Sequence, residues 1–512
     1  MVDEFTQKPD AIRRLGEDIF VYHKAKRLRT DEFEVVYVNE AFDKELVNEL
    51  AIVLVDDACP IDVESITVYV DRQKDKTDIS LSGNQGSGRA VYYGKKYNIL
   101  GVGKTSLCTS TESKHSTGKM ELVGSLRRVI VSCWINYFSE RAGYHPVVLA
   151  LKESKGFKWA QNPIPLAVLV RADEGYLDRP SHIEYLPTIS INFEKILVEY
   201  AKMDAEFFAY RYMLGAWSNG NYSLDGRIID LETISFTKYR GPYKTAGSKH
   251  IENFFGYEGK GFVLILKQLA EVKGVETNNI ESRFFEERKK WLMRCFLTLQ
   301  GAGENGIKFC EERYYSELES LTHSFEMLSK KIGPRRVNMN LYVGVSDEDD
   351  PSLLDMSQLF RNLAKLIALP DREGVAYDLL VRNVALDNLL PGLVYEPALT
   401  KDGQINTGEV FIKDEVVITY EQKKSFLKSV EVFIRDLFKL VDQLNNGGYL
   451  PVVDEWSKRL MTINQDLPTF NELNQKLFFL SEEYRLRRLK AFDLWSEVEK
   501  LCRLPWYNQD NY

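Results

Sequence analysis

Asn221 and Asp230, nine residues apart, are the side chains in this 512-residue chain best placed to do hard-cation chemistry. Between them lie a turn at Asp225-Gly226 and the apolar pair Ile228-Ile229, and turn-prone residues around Gly220 precede them. The stretch reads as helix end, tight loop, short strand and acid, a hairpin that brings Asn221 and Asp230 together. An amide oxygen and a carboxylate so placed suit Mg²⁺ carrying phosphate oxygens. The same residues also suit an ordinary hairpin with a polar rim.

Two glycine-rich stretches precede this pair. Gly83-Asn84-Gln85-Gly86-Ser87-Gly88-Arg89 stands before a β-type run, where glycines let backbone N–H groups approach phosphate or simply turn the chain. Gly101-Val102-Gly103-Lys104-Thr105 is not a P-loop, because Asn98 stands where that motif needs its first glycine and no parallel α/β succession surrounds it.

The elements that must position these residues change character along the chain. Residues 1–75 form a covering segment, with a basic helix-like start from Ile12 to Arg29 followed by Val35-Val36-Tyr37-Val38. Residues 76–190 carry short β-type runs, including Arg89–Tyr93, Tyr97–Leu100 and Leu166–Val170, interrupted by one helix from about Glu121 to Ala142. Residues 191–512 are mainly helical, with periodic patterns at 191–216, 278–300, 305–331, 354–368, 419–446 and 468–502. A glycine loop, a β-rich lobe, one helix, then Asn and Asp on a hairpin is the order of parts in a protein-kinase-like fold. The expected class is α+β, bilobal, with a small β-rich N-lobe and a large, extended helical C-lobe.

Composition narrows the function classes. With 44% hydrophobic and 28% charged residues the chain reads as folded, and 67 basic against 75 acidic residues leave a net charge of −8 and no basic footprint for nucleic acid. Six cysteines without a Cys-x-x-Cys pair suggest neither zinc nor a disulfide framework. The N-terminal residues lack signal-peptide character and the longest apolar run, Ile164–Val170, is strand-sized, so no membrane segment and a cytoplasmic location are expected.

Several segments taken together resemble the selenoprotein O family, kinase-fold enzymes that transfer AMP from ATP to protein hydroxyls. Gly86-Ser87-Gly88-Arg89-Ala90 resembles its Gly-Asp-Gly-Arg-Ala, and Tyr97 to Thr105 resembles its Leu-Gln-Leu-Lys-Gly-Ala-Gly-Arg-Thr. Ser125-Leu126-Arg127-Arg128 sits at its Ser-Ile-Arg-Glu. Pro165 to Arg171, with Ser181-His182-Ile183-Glu184-Tyr185 downstream, resembles Pro-Gly-Ala-Val-Leu-Thr-Arg and Gly-Ser-Phe-Glu-Tyr. Asn219-Gly220-Asn221-Tyr222-Ser223, with Gly226 and Asp230, resembles its Thr-Asp-Asn-Met-Ser, Gly and Asp. The resemblance spans roughly residues 80 to 260. It implies ATP and Mg²⁺ or Mn²⁺ as cofactors, with Asn221 and Asp230 as metal ligands. Arg171 and Arg179, the latter after a one-residue insertion, would hold the terminal phosphates of a nucleotide bound with its α-phosphate toward the acceptor. Gly86, Gly88, Arg89, Gly101, Gly103, Lys104 and Arg128 would line the nucleotide. A pair of surface arginines held by Asp173, Glu174 and Asp178 is the competing reading of Arg171 and Arg179.

The departures are as informative as the matches. Leu100 stands for the family's phosphate-binding lysine, Arg128 for the glutamate that pairs with it, and Gly220 for the aspartate that acts as base. Either Asp225 or another acid substitutes, or the acceptor is a carboxylate, which is already ionised at neutral pH. Three functions follow: AMP transfer to a protein or peptide; adenylation of a carboxylate in peptide tailoring of the bacteriocin or microcin type; and a non-catalytic, pseudokinase-like scaffold whose helical C-terminal half binds a protein partner.

Overall fold

The computed structural model describes residues 5, 7–17, 20–55, 65–71, 88–106, 117–156, 162–172, 178–180, 182, 191–210, 212–214, 221–232, 234–236, 245–246, 259–329, 337–340, 344–345, 354–367, 369, 374–388, 410–412, 415–417, 420–451, 453–465, 467–468 and 470–503. The chain is mixed α+β. Its main sheet contains β1 (Phe20–Arg27), β2 (Phe33–Val38), β3 (Ile52–Leu54), β4 (Ile66–Asp71), β5 (Ala90–Tyr93), β6 (Tyr97–Leu100), β7 (Met120–Glu121), β8 (Val147–Lys155) and β9 (Ile164–Ala172). All neighbours are antiparallel, in the order β2-β8-β9-β6-β5-β4-β1-β3, with β7 also pairing β9.

Burial on both faces explains the continuous apolar run of β9. Side chains alternate across a strand, so Leu166, Val168 and Val170 enter one core with Val91, Ile99 and Val147, while Ala167 and Leu169 enter the other with α3 (Leu122–Ser139). Helix α3 lays Leu126, Val129 and Ile130 into that second core. Its outer surface is covered from far along the chain: Trp134 Nε1 donates to the Leu501 carbonyl at 2.8 Å, and Arg127 Nη1 donates to Asn474 Oδ1 at 3.3 Å.

The region from Ile12 to Arg29 is not one helix. A short helix, α1 (Asp10–Leu15), ends at Gly16, and Phe20–Arg27 is strand β1, paired with β3 and β4. Phe20 and Ala25, on opposite faces of the strand, are buried in the two different cores, while Tyr22 and Lys24 are exposed, a pattern that strand pairing fixes and helical periodicity does not. Strands from both sides of residue 75 thus share one sheet. Helix α4 (Phe193–Tyr210) stops before Tyr212–Leu214, which pairs antiparallel with Ile234–Phe236 across the hairpin segment. Further helices include Lys260–Lys273, Ile280–Leu299, Met356–Ile367, Val375–Asp387, Tyr420–Asn446, Val453–Ile463, Phe470–Arg485 and Ala491–Cys502. The expected helix at 305–331 divides into Glu304–Arg313 and Tyr315–Ser329, because Tyr314 leaves the helical region at φ −130°, ψ 30°. No helix among the described residues is long and apolar enough to cross a membrane.

The glycines after β6 serve close backbone packing. At Gly101, φ is +84° and a Cβ would lie 2.3 Å from the Ala167 carbonyl oxygen. Gly101→Ala is therefore expected to cost roughly 2–4 kcal/mol, read as a lowered melting temperature. Gly156→Ala, where a Cβ meets nothing within 4 Å, is expected to melt like the wild type.

Candidate functional site

The hairpin forms as its turn chemistry requires. The Asn221 carbonyl accepts the N–H groups of Ile229 (2.8 Å) and Asp230 (3.2 Å), Tyr222 bridges Ile228, and Ser223 and Arg227 close the turn. Gly226 takes φ +78° at that turn. Tyr222 and Ile228 are fully buried, and Tyr222 packs edge-on against Tyr200 and Phe262. Asn221 and Asp230 thus meet at the base of the hairpin. Asp225 sits at its tip, held by Ser223 Oγ and, at 3.4 Å, by Arg227 Nε, and does not join Asp230.

Arg141 fixes the turn against α4. Its guanidinium donates to Glu206 Oε2 and Glu199 Oε2, both at 2.7 Å, and to the Gly226 carbonyl at 3.1 Å. Burial raises the Glu206 pKa above the ordinary carboxyl value despite the opposing pull of Arg141.

Arginines converge on the base of the hairpin from three elements. On α3, Arg128 Nη2 donates to Asp230 Oδ1 at 2.6 Å and to Glu232 Oε2 at 3.3 Å, and its Nη1 reaches the Ile229 carbonyl at 3.3 Å. From β9, Arg171 Nη1 donates to that same carbonyl at 3.1 Å, and Nη2 to Asn98 Oδ1 at 2.7 Å. Asn98 and Arg171 are register partners on β6 and β9, which is why their side chains meet. Arg89, immediately before β5, donates to Glu232 Oε2 at 2.5 Å with Glu121 Oε2 at 4.0 Å. Arg127 donates to the carbonyls of Glu232 (3.1 Å) and Ile234. Burial disfavours the charge on Arg89, but Glu232, Glu121 and Asp230 outweigh it and hold the pKa above the ordinary value.

All four guanidiniums are buried, whereas the Asp230 side chain keeps 25% of its surface exposed, so the cluster is reached from solvent at the hairpin. His145 lies behind it. Its Nδ1 donates to the Gly143 carbonyl at 2.8 Å, and Nε2 meets no hydrogen-bond partner among the described residues. Burial first, then the charges of Arg171 and Arg128, push its pKa well below 6.5, so the ring is neutral.

The remaining candidates are distributed differently. Gly88 takes φ +66° and its carbonyl accepts the Thr105 N–H at 3.0 Å. The N–H groups of Gly101 and Gly103 donate to the carbonyls of Arg89 (2.8 Å) and Gly118 (3.0 Å), so these amides serve the loop itself. Lys104 is exposed, and Leu100 is buried in the core. Arg179 is buried in a local turn in which its N–H meets His182 Nδ1 and its carbonyl accepts the His182 N–H. Neither Arg171 nor Arg179 is a surface arginine, and Asp178 pairs with Arg14 at 2.9 Å while its carbonyl accepts the Leu224 N–H. Gly86, Gly220, Ser181 and the segment 183–185 lie outside the described residues. Sequence reasoning passed over Glu232, Glu121, His145 and Arg141. For Glu232, its place two residues beyond Asp230 in extended chain was the available signal.

The fit to a divalent cation follows from this charge arrangement. Among the described residues no group of three or more His, Cys, Asp or Glu side chains gathers as a metal site. Asp230 Oδ1 already accepts from Arg128 and from the Glu232 N–H, and Glu232 Oε2 accepts from Arg89 and Arg128. A dication about 4 Å from a guanidinium is repelled by roughly 8 kcal/mol, gross, at an effective dielectric near 20. As arranged, Asn221 and Asp230 do not fit Mg²⁺ or Mn²⁺.

No protein-family model matches the chain, and no curated protein matches it.

Two outcomes are expected from this geometry. Arg141→Leu leaves Glu206 buried without its guanidinium and should cost about 3–5 kcal/mol in thermal or denaturant unfolding. The unfolded chain protonates His145 below about pH 6.5 and the folded chain does not, so stability is complete above that pH and is lost as pH falls below it, by up to about 1.4 kcal/mol per unit. His145→Asn should remove that component, seen as a shallower fall in melting temperature between about pH 6.5 and 5.

Proposed function

We propose that the chain is an ATP-dependent nucleotidyltransferase that moves AMP onto a protein or peptide, within a kinase-like, bilobal arrangement of the sheet-bearing and helical parts. The observation that carries this reading is the convergence of Arg128 and Arg171 on the Ile229 carbonyl beside the partly exposed Asp230. Planar guanidiniums bind phosphate oxygens through paired hydrogen bonds, and burial strengthens them. In the reaction an acceptor oxygen attacks the α-phosphorus, its bond to the bridging oxygen breaks, and pyrophosphate leaves. Arg128 and Arg171 orient the polyphosphate and offset the charge on the leaving group.

A carboxylate acceptor suits this site best. Asp225 is engaged at the hairpin tip, and Glu232 and Asp230 are held by arginines, so the carboxylates described near the hairpin are not poised to take a proton. An ionised carboxylate needs no base. This favours peptide tailoring through an acyl-adenylate over modification of a hydroxyl. The Arg128–Asp230 ion pair supports one second reading, a nucleotide-binding scaffold without transfer, in which masking of Asp230 is permanent.

ATP labelled at the α-phosphate should leave label on an acyl-adenylate or protein acceptor with release of pyrophosphate, and label at the γ-phosphate should stay with pyrophosphate. Arg128→Gln and Arg171→Gln should each lower the rate by about 10²-fold or more. Stabilisation by ATP without any α-label transfer would favour the scaffold.

A further inference from the structure

We propose that Arg128 takes the place of the divalent cation, so that the cluster at the base of the hairpin binds the polyphosphate of a nucleotide without a metal ion. This rests on the nucleotide reading above and specifies the form of nucleotide bound. The guanidinium of Arg128 occupies a cation's position: it touches one oxygen of Asp230, one of Glu232 and the carbonyl of Ile229. These are hard oxygen donors of the kind that otherwise surround Mg²⁺.

Guanidinium donors gather at this point: Arg89, Arg127, Arg128 and Arg171 are all buried around Glu121, Asp230, Glu232 and the Ile229 carbonyl. Such a cluster gains by taking up an anion and is opposed to a further dication. Free ATP carries more negative charge than its magnesium complex and is the better complement. Arg128 also retains a donor for it: Nε is buried and meets no hydrogen-bond partner among the described residues. The neutral ring of His145 is consistent with this arrangement, since a third cation behind Arg128 and Arg171 is avoided.

The test is ATP binding by isothermal titration, with thermal shift in parallel, on the full chain in excess EDTA and in millimolar Mg²⁺ or Mn²⁺. The expected result is an affinity in EDTA equal to or tighter than that with metal, within about threefold. Arg128→Gln should lose about tenfold or more of the metal-free affinity and recover part of it when Mg²⁺ is added. Wild-type binding that appears only with Mg²⁺ or Mn²⁺ overturns the inference and leaves the nucleotide reading standing. No binding in either condition overturns both. Should Arg128→Gln fail to fold, the wild-type comparison alone decides.

Discussion

Two guanidiniums, Arg128 and Arg171, donate to the single carbonyl oxygen of Ile229, and the arrangement around the hairpin depends on making that juxtaposition tolerable. Like charges this close inside a protein repel unless acids and polar atoms are placed around them. Asp230, Glu232 and Asn98 supply those atoms from the hairpin and β6. Their placement in turn requires a hairpin of fixed register, which the Asn221 carbonyl closes at one end and Arg141 holds against α4 at the other. Loss of any of these leaves buried charge without its counterpart.

On the alignment that the sequence resemblance implies, the polarity of the cluster is the reverse of the kinase-type pattern, in which a strand lysine meets a helix glutamate. On that alignment Leu100, packed in the apolar core, stands for the lysine, and Arg128, whose partner is the hairpin acid itself, stands for the glutamate. The two exchanges are coupled by solvation. A glutamate at position 128 would face Asp230 and Glu232 as a third acid, and a lysine at position 100 would be a charge in the core formed by Leu126, Ala167 and Leu169.

What the sequence made legible was the local chemistry. The turn at Asp225-Gly226 and the apolar pair Ile228-Ile229 indicated a hairpin joining Asn221 to Asp230, and the backbone closes there. Helix α3, most of α4 and strands β5, β6 and β9 followed from periodicity or β-branched runs. Strand β1 did not, because its burial follows no simple alternation and its pairing partners β3 and β4 come from elsewhere in the chain. The ion pairs were least legible. Arg89 and Glu232 are separated by 143 residues and Arg128 and Asp230 by 102, and no local pattern encodes which arginine meets which acid. His145 reads as an ordinary loop histidine until β9 and α3 place two cations beside it.

The covering of α3 by the far end of the chain sets an order of assembly. Trp134 is tied to Leu501 across 367 residues and Arg127 to Asn474 across 347, while Tyr484 reaches Glu34 across 450. Contacts of such long separation are closed late, after their loop entropy has been met by other structure. During synthesis the residues of the sheet and of α3 leave the ribosome long before those that cover α3. The Arg127–Asn474 and Trp134–Leu501 contacts therefore belong to the last stage of folding, and a chain halted before residue 470 would carry the hairpin, its acids and their arginines while α3 remained uncovered.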